Sequence, residues 1–132
     1  LIEDTCESLG SAYKNKYLGT FGKYGTYSFY VSHQITSGEG GMIVCNNTHD
    51  YKIINKLRAH GWDRGLNKKN AKNFNFVNSG FNLRPLDLTA AIGYNQFKRL
   101  NKMKRIREQN RKEWRGNAWK VRLKRLGKSR AR

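Results

Sequence analysis

Leu1-Ile2-Glu3-Asp4-Thr5-Cys6-Glu7-Ser8-Leu9-Gly10 begins with two apolar residues that run straight into two acids. That order reads as the end of a buried strand, and in open parallel sheets functional acids emerge at strand carboxyl ends. Asp4 is thereby placed where a ligand can reach it. Downstream, Gly19-Thr20-Phe21-Gly22-Lys23-Tyr24-Gly25-Thr26 leads into Tyr27-Ser28-Phe29-Tyr30-Val31, whose aromatic and β-branched content favours a second strand. A polar loop from Ser32 to Ser37 and the turn Gly38-Glu39-Gly40-Gly41 precede a third short strand, Met42-Ile43-Val44-Cys45.

Helices follow. Thr48 is expected to cap one, with Asp50 in its first turn, an apolar stripe of Ile53, Ile54 and Leu57, and a stop at His60-Gly61. The Asn- and Lys-rich stretch from Asp63 to Asn78 reads as loop. Pro85 lies near a second helix start, and Leu86, Ala90, Gly93, Phe97 and Leu100 recur at alternating steps of four and three. The spacing predicts one long amphipathic helix reaching about Asn110. Beyond Arg111 the apolar residues lose their period. Strands mixed with helices give an α/β fold class.

The chain has 132 residues, the size of one domain, and its 37% hydrophobic content excludes a wholly disordered chain. No apolar run approaches the roughly 18 residues that span a bilayer, so a soluble, cytoplasmic protein without a membrane partner is expected. The net charge of +18 invites a nucleic-acid-binding reading, but its distribution opposes one. Residues 1–97 hold 11 basic and seven acidic residues, net +4, whereas residues 98–132 hold 16 and two, net +14. No helix-turn-helix, zinc or RNA-binding signature accompanies the charge, so a basic nucleic-acid module is a remote alternative and no specific nucleic-acid partner is expected. Cys6 and Cys45 lack C-x-x-C spacing, and neither they nor His49 and His60 suggest a metal site. The opening on Leu1 inside an apolar run suggests a fragment. These features are expected to divide the chain into residues 1–97, part of a larger domain, and a basic helical extension, 98–132, whose end is expected to be a divergent or frame-shifted tail.

Six ordered motifs carry a resemblance: Ile2 to Gly10, Gly19-Thr20-Phe21-Gly22, Ser28-Phe29, Gly38-Glu39-Gly40-Gly41, Arg58-Ala59-His60-Gly61 and Gly80-Phe81-Asn82-Leu83-Arg84. Together they resemble the middle of a DegT/DnrJ/StrS-type sugar aminotransferase, over about residues 1–110. The resemblance implies part of the large domain of the aspartate-aminotransferase-like fold, the fold type I of pyridoxal-phosphate-dependent transferases, ending in a long helix. It also implies a homodimer, a nucleotide-sugar substrate and an amino acid as amine donor.

One position departs from the family pattern. Relatives of the transaminase kind carry a Schiff-base lysine five residues after the motif serine, where this chain has His33 in Ser28-Phe29-Tyr30-Val31-Ser32-His33. No lysine occurs between Tyr24 and Tyr51, and an imidazole cannot form the imine that tethers the cofactor. Histidine there resembles the sugar 3-dehydratase branch, in which pyridoxal or pyridoxamine phosphate is held non-covalently and the histidine is the base. An ordinary imidazole, with a pKa of about 6.5, is suited to that task. Dehydration of a 4-keto-6-deoxy sugar is the activity implied, for deoxysugar and surface-polysaccharide synthesis, with transamination as the alternative. The resemblance further assigns Asp4 to the pyridine nitrogen, Glu7 to the neighbourhood of the ring hydroxyl, Ser28 to the phosphate, and Asn82 to the phosphate of a neighbouring subunit.

Overall fold

The computed structural model describes residues 1–63 and 74–129. They divide into two compact units, Leu1–Phe97 and the unit that begins at Lys98. The first is built on a three-stranded sheet of β1 (Ile2–Asp4), β4 (Tyr24–Ser28) and β5 (Gly41–Cys45), in the order β1-β4-β5. β1 runs parallel to β4, with Asp4 opposite Thr26, and β5 runs antiparallel, with Gly41 opposite Ser28 and Cys45 opposite Tyr24. β2 (Ala12–Tyr13) and β3 (Lys16–Tyr17) form a separate hairpin. Its two turn residues, Lys14 and Asn15, both have positive φ, the conformation that matches strand twist in a two-residue turn.

The second strand therefore begins three residues earlier than its composition suggests, at Tyr24. The reason is a close approach. A Cβ on Gly25 would lie 2.0 Å from the Gly19 carbonyl oxygen, so glycine at 25 lets the 19–22 loop lie directly on the strand. Tyr27, on the same side of the strand, is buried and donates its hydroxyl to the Leu18 carbonyl at 2.5 Å. Ile35 is the other buried hydrophobic among the described residues. Leu1 and Ile2, expected inside a buried strand, are 83% and 67% exposed, and β1 is an edge strand of the sheet.

Helix α1 spans Thr48–Arg58. Its cap is Asn47 rather than Thr48: Asn47 Oδ1 accepts the Asp50 N–H at 2.8 Å while its amide donates to Asp50 Oδ2 at 2.7 Å. This reciprocal pair satisfies an orphan donor of the first turn and buries Asp50 with its charge compensated, Lys23 Nζ lying 3.6 Å away. Hydrogen bonds from Asn47 and Tyr24, with the nearby charge of Lys23, hold the Asp50 carboxyl below its ordinary range. The helix stops at Ala59, followed by His60 and Gly61 with positive φ, as the His60-Gly61 pair suggests. Residues 77–83 then strap across its end, through Phe81 N–H to the Leu57 carbonyl at 2.7 Å and Leu83 N–H to the Arg58 carbonyl at 2.9 Å. The expected loop from Asp63 to Asn78 lies largely outside the described residues. Its ends are paired, with Trp62 stacked on Phe74 and Phe76 and Asn75 donating to Asp63.

The long helix expected from Pro85 to about Asn110 is two helices. α2 spans Asp87–Phe97, a turn occupies Lys98 and Arg99, and α3 spans Leu100–Ser129. No residue of α2 is buried, so no packed stripe enforces continuity through the turn. α3 outlasts its apolar periodicity because Lys, Arg, Glu, Gln, Leu and Ala are all strong helix formers and no proline interrupts them. No described helix is long and apolar enough to cross a membrane.

Candidate functional site

The carboxyl end of β1 delivers two acids to opposite faces of the sheet. Glu3 points to the glycine-rich loop, where Oε2 accepts the Gly19 N–H at 2.7 Å and Oε1 accepts those of Phe21 at 2.7 Å and Gly22 at 2.6 Å. Hydrogen bonding from these amides, Gly22 foremost, holds the Glu3 carboxyl below its ordinary range. Sequence reasoning passed over Glu3. The available signal was an acid two positions from a strand start, followed by a loop whose glycines leave N–H groups bare.

Asp4 faces the other way and is exposed. Its Oδ1 accepts from the Cys6 N–H at 3.2 Å and lies 3.4 Å from the Thr26 hydroxyl. The hydrogen bonds from Cys6, then Thr26, lower the Asp4 pKa, so the carboxylate is charged throughout the neutral range. The same contact raises the Cys6 thiol. Both of these donors meet Oδ1.

After β4 the chain folds into a loop closed on itself. The Phe29 carbonyl accepts from the Ser37 N–H at 3.0 Å and the Thr36 hydroxyl at 3.0 Å, and the Phe29 N–H donates to Gly40. Ile35, 4% exposed, anchors this loop inward, although the stretch reads as wholly polar apart from that one residue. His33 sits at its bend, with its N–H donating to the Tyr30 carbonyl at 3.1 Å and its ring 5.9 Å from the Tyr30 ring, edge to face. The imidazole is largely buried, and its Nε2 lies 3.1 Å from Glu7 Oε1. Gln34 donates its amide to the Glu7 carbonyl oxygen.

The structure thus brings Glu7 and His33 into contact and sets Asp4 three residues before Glu7. Ser28 lies at the end of β4 on the same strand face as Thr26, and its hydroxyl oxygen accepts the Tyr30 N–H at 3.2 Å. Asn82 is held elsewhere in the unit, exposed, bridged to Ala59 at the end of α1. Among the described residues no three His, Cys, Asp or Glu side chains are grouped to hold a metal ion.

A charged acid thus ends β1, a glycine-rich loop is clamped on the opposite face of the sheet by Glu3, and an imidazole stands on the loop that follows β4. The sequence pattern of the DegT/DnrJ/EryC1/StrS aminotransferase family matches residues 1–118. The chain belongs to this family. Within the DegT/DnrJ/EryC1/StrS group it is 43% identical over 121 residues to the GDP-4-keto-6-deoxy-D-mannose 3-dehydratase of Escherichia coli O55:H7, a match covering 83% of this chain and 31% of that protein. A solved structure of the E. coli 3-dehydratase with bound hydrated PLP superposes with a TM-score of 0.78 at 42% identity, over 85% of this chain and 32% of the other. GDP-perosamine synthase of E. coli O157:H7 is 40% identical over 96 residues, covering 73% of this chain and 25% of its own. The chain therefore spans about a third of the length of the curated relatives it matches. Its fold is the α/β fold of the PLP-dependent sugar dehydratases and aminotransferases.

Proposed function

We propose that this chain is part of the large domain of a fold type I, pyridoxal-phosphate-dependent enzyme, and that the whole protein removes the carbon-3 hydroxyl from a nucleotide-linked 4-keto-6-deoxy sugar. The observation that carries this reading is His33, an imidazole where transaminase relatives have lysine, in a segment without lysine from Tyr24 to Tyr51. The likeness to GDP-4-keto-6-deoxy-D-mannose 3-dehydratases supports the same reaction class.

The residues present fit the cofactor. Asp4 is charged and exposed at a strand end, which suits a partner for a pyridinium N–H. Pyridoxamine phosphate, when bound, supplies a primary amine for the 4-keto group and a ring that withdraws electrons. Asp4 holds the proton on the ring nitrogen, which keeps that ring cationic. His33 takes a proton at its imidazole as the hydroxyl departs, a general-base role worth about 10²- to 10⁴-fold. Ser28 binds the phosphate from its own chain and Asn82 from a partner subunit, which makes the working unit a dimer. The cofactor is held without a covalent tether, and the enzyme works in the cytoplasm with an amino acid as amine donor.

A chimera tests this reading: residues 1–97 replace the matching segment of the E. coli O55:H7 3-dehydratase. Elimination is expected to survive the exchange and to fall by about 10²-fold or more in His33→Asn. Borohydride reduction with pyridoxal phosphate should leave no lysine-bound cofactor. Undiminished elimination in His33→Asn overturns the base assignment, and a reduced lysine adduct would instead favour transamination, the activity that the GDP-perosamine synthase relative brings into consideration.

A further inference from the structure

We infer that Thr26 and Cys6 are positioning residues for Asp4, whose carboxylate their side chains hold in one orientation at the end of β1; this rests on the assignment of Asp4 to the ring nitrogen above. The end of β1 closes around one residue of β4. Asp4 stands opposite Thr26 in the parallel ladder. Thr5, itself buried, sends its N–H and its hydroxyl to the Thr26 carbonyl at 3.0 and 2.6 Å. Cys6 brings its Sγ to 3.9 Å from the Thr26 hydroxyl oxygen and its N–H to 3.2 Å from Asp4 Oδ1. Three consecutive residues thus meet on Thr26, by its main chain and by its side chain.

The Thr26 hydroxyl oxygen lies 3.4 Å from Asp4 Oδ1 and equally 3.4 Å from the Glu3 carbonyl oxygen. It has one proton to give, and a charged carboxylate is the stronger acceptor, so that proton belongs to the contact with Asp4. The Cys6 thiol adds a weak donor to the same group. Hydrogen bonding from Cys6, its side chain foremost, and then from Thr26 holds the Asp4 carboxyl below its ordinary range. At 3.4 Å the hydroxyl contact is long, so no single donor fixes the carboxylate and the set acts together. The neighbouring acids do not compete for these donors: Glu3 uses its carboxylate on the 19–22 loop across the sheet, and Glu7 meets His33. Asp4 is exposed, and a solvated carboxylate without such partners would turn among its rotamers. Holding it in advance spares a bound ring that ordering cost.

The experiment is carbon-13 NMR of the full chain labelled at its aspartate carboxyls, titrated through the acid range without cofactor. Asp4 of the unsubstituted chain is expected to titrate below its ordinary 3.8, with α–β couplings of a single rotamer. Thr26→Val has the same shape without the hydroxyl and should move the midpoint up towards 3.8, whereas Thr26→Ser should keep it low. Thr26→Val combined with Cys6→Ala should move it furthest and average the couplings. Where Thr26→Val disturbs the amide spectrum of β4, Cys6→Ala alone, which leaves every backbone bond in place, must still raise the midpoint. An Asp4 midpoint that these changes leave unmoved, couplings already averaged in the unsubstituted chain, or a Thr26→Ser that behaves as Thr26→Val does, each overturns the proposal. The titration needs neither cofactor nor turnover, so it fails independently of the elimination assay.

Discussion

The first unit, Leu1–Phe97, holds its shape through specific contacts between residues far apart in sequence, whereas α3 in the second is a run of helix formers bonded within itself. In the first, one carboxylate at position 3 gathers three amides from residues 19 to 22, and a glycine at 25 exists to let a backbone oxygen approach. In the second, described residues from 104 to 120 are exposed, Trp114 and Trp119 among them. One unit is specified by placement and the other by propensity. Chemistry that needs atoms held to fractions of an ångström belongs with the first kind, and there the family's motif residues lie.

The sharpest way to break this contrast is a methyl group at position 25. In Gly25→Ala the new Cβ would meet the Gly19 oxygen at 2.0 Å, and both partners are backbone, so relief requires β4 and the 19–22 loop to separate. A loss of about 3 kcal/mol or more is expected, at the top of the overpacking range. Hydrogen exchange of the full chain should show protection vanishing across β1, β4 and β5 while α3 amides are unaffected. Retained protection at Thr26 and Tyr27 would mean that the loop does not rest on the strand as described.

Residue order conveyed a good deal of the first unit. A strand at the opening of the chain, another at 42–45, the acid that follows the first and the His60-Gly61 stop were all legible, because each depends on a local pattern of apolar, acidic or glycine residues. The strand start at Tyr24, the burial of Ile35 and the clamp of Glu3 were not, since each depends on a segment more than a few residues away. Asn47 displaced Thr48 as cap because both residue types cap well, and only the reciprocal bond with Asp50 decides between them. At the site, motif order identified His33 and Asp4 as residues of interest, but nothing in the spacing of residues 7 and 33 announced their contact. In the second unit, periodicity understated the helix because propensity alone carries it.

Acid should separate the two units next. Glu3, Asp4 and Asp50 are all held below their ordinary values of 4.5, 3.8 and 3.8 by hydrogen bonds made in the folded state. As the pH falls, the unfolded chain takes up these protons first, so the stabilisation is intact above about 4.5 and disappears as the pH drops through the depressed folded values. Residues 98–132 contain only two side-chain carboxylates, so they have little of this kind to lose. A pH series of amide exchange should show Gly19, Phe21 and Gly22 opening in acid before any residue of α3. Glu3→Gln should remove most of that acid dependence at these three amides and speed their exchange at neutral pH, because one carboxamide oxygen cannot replace two carboxylate oxygens for three donors. Acid dependence undiminished in Glu3→Gln would assign it to Asp4 or Asp50 instead.

The smallest effect should have the opposite sign. Gly116 lies inside α3, and nothing stands within 4 Å of the Cβ that Gly116→Ala would add. The substitution therefore removes only the backbone entropy that glycine loses in a helix, a gain of about 1 kcal/mol. Far-ultraviolet circular dichroism of the full chain should show α3 melting at a higher temperature, with exchange in β1, β4 and β5 unaltered. The same chemical change, one added methyl, would then destabilise the unit built on close approach and stabilise the unit built on propensity. A destabilising Gly116→Ala would instead reveal a surface packed closely against that turn of α3, and the helix would have to be reclassified with the first unit as one specified by contacts.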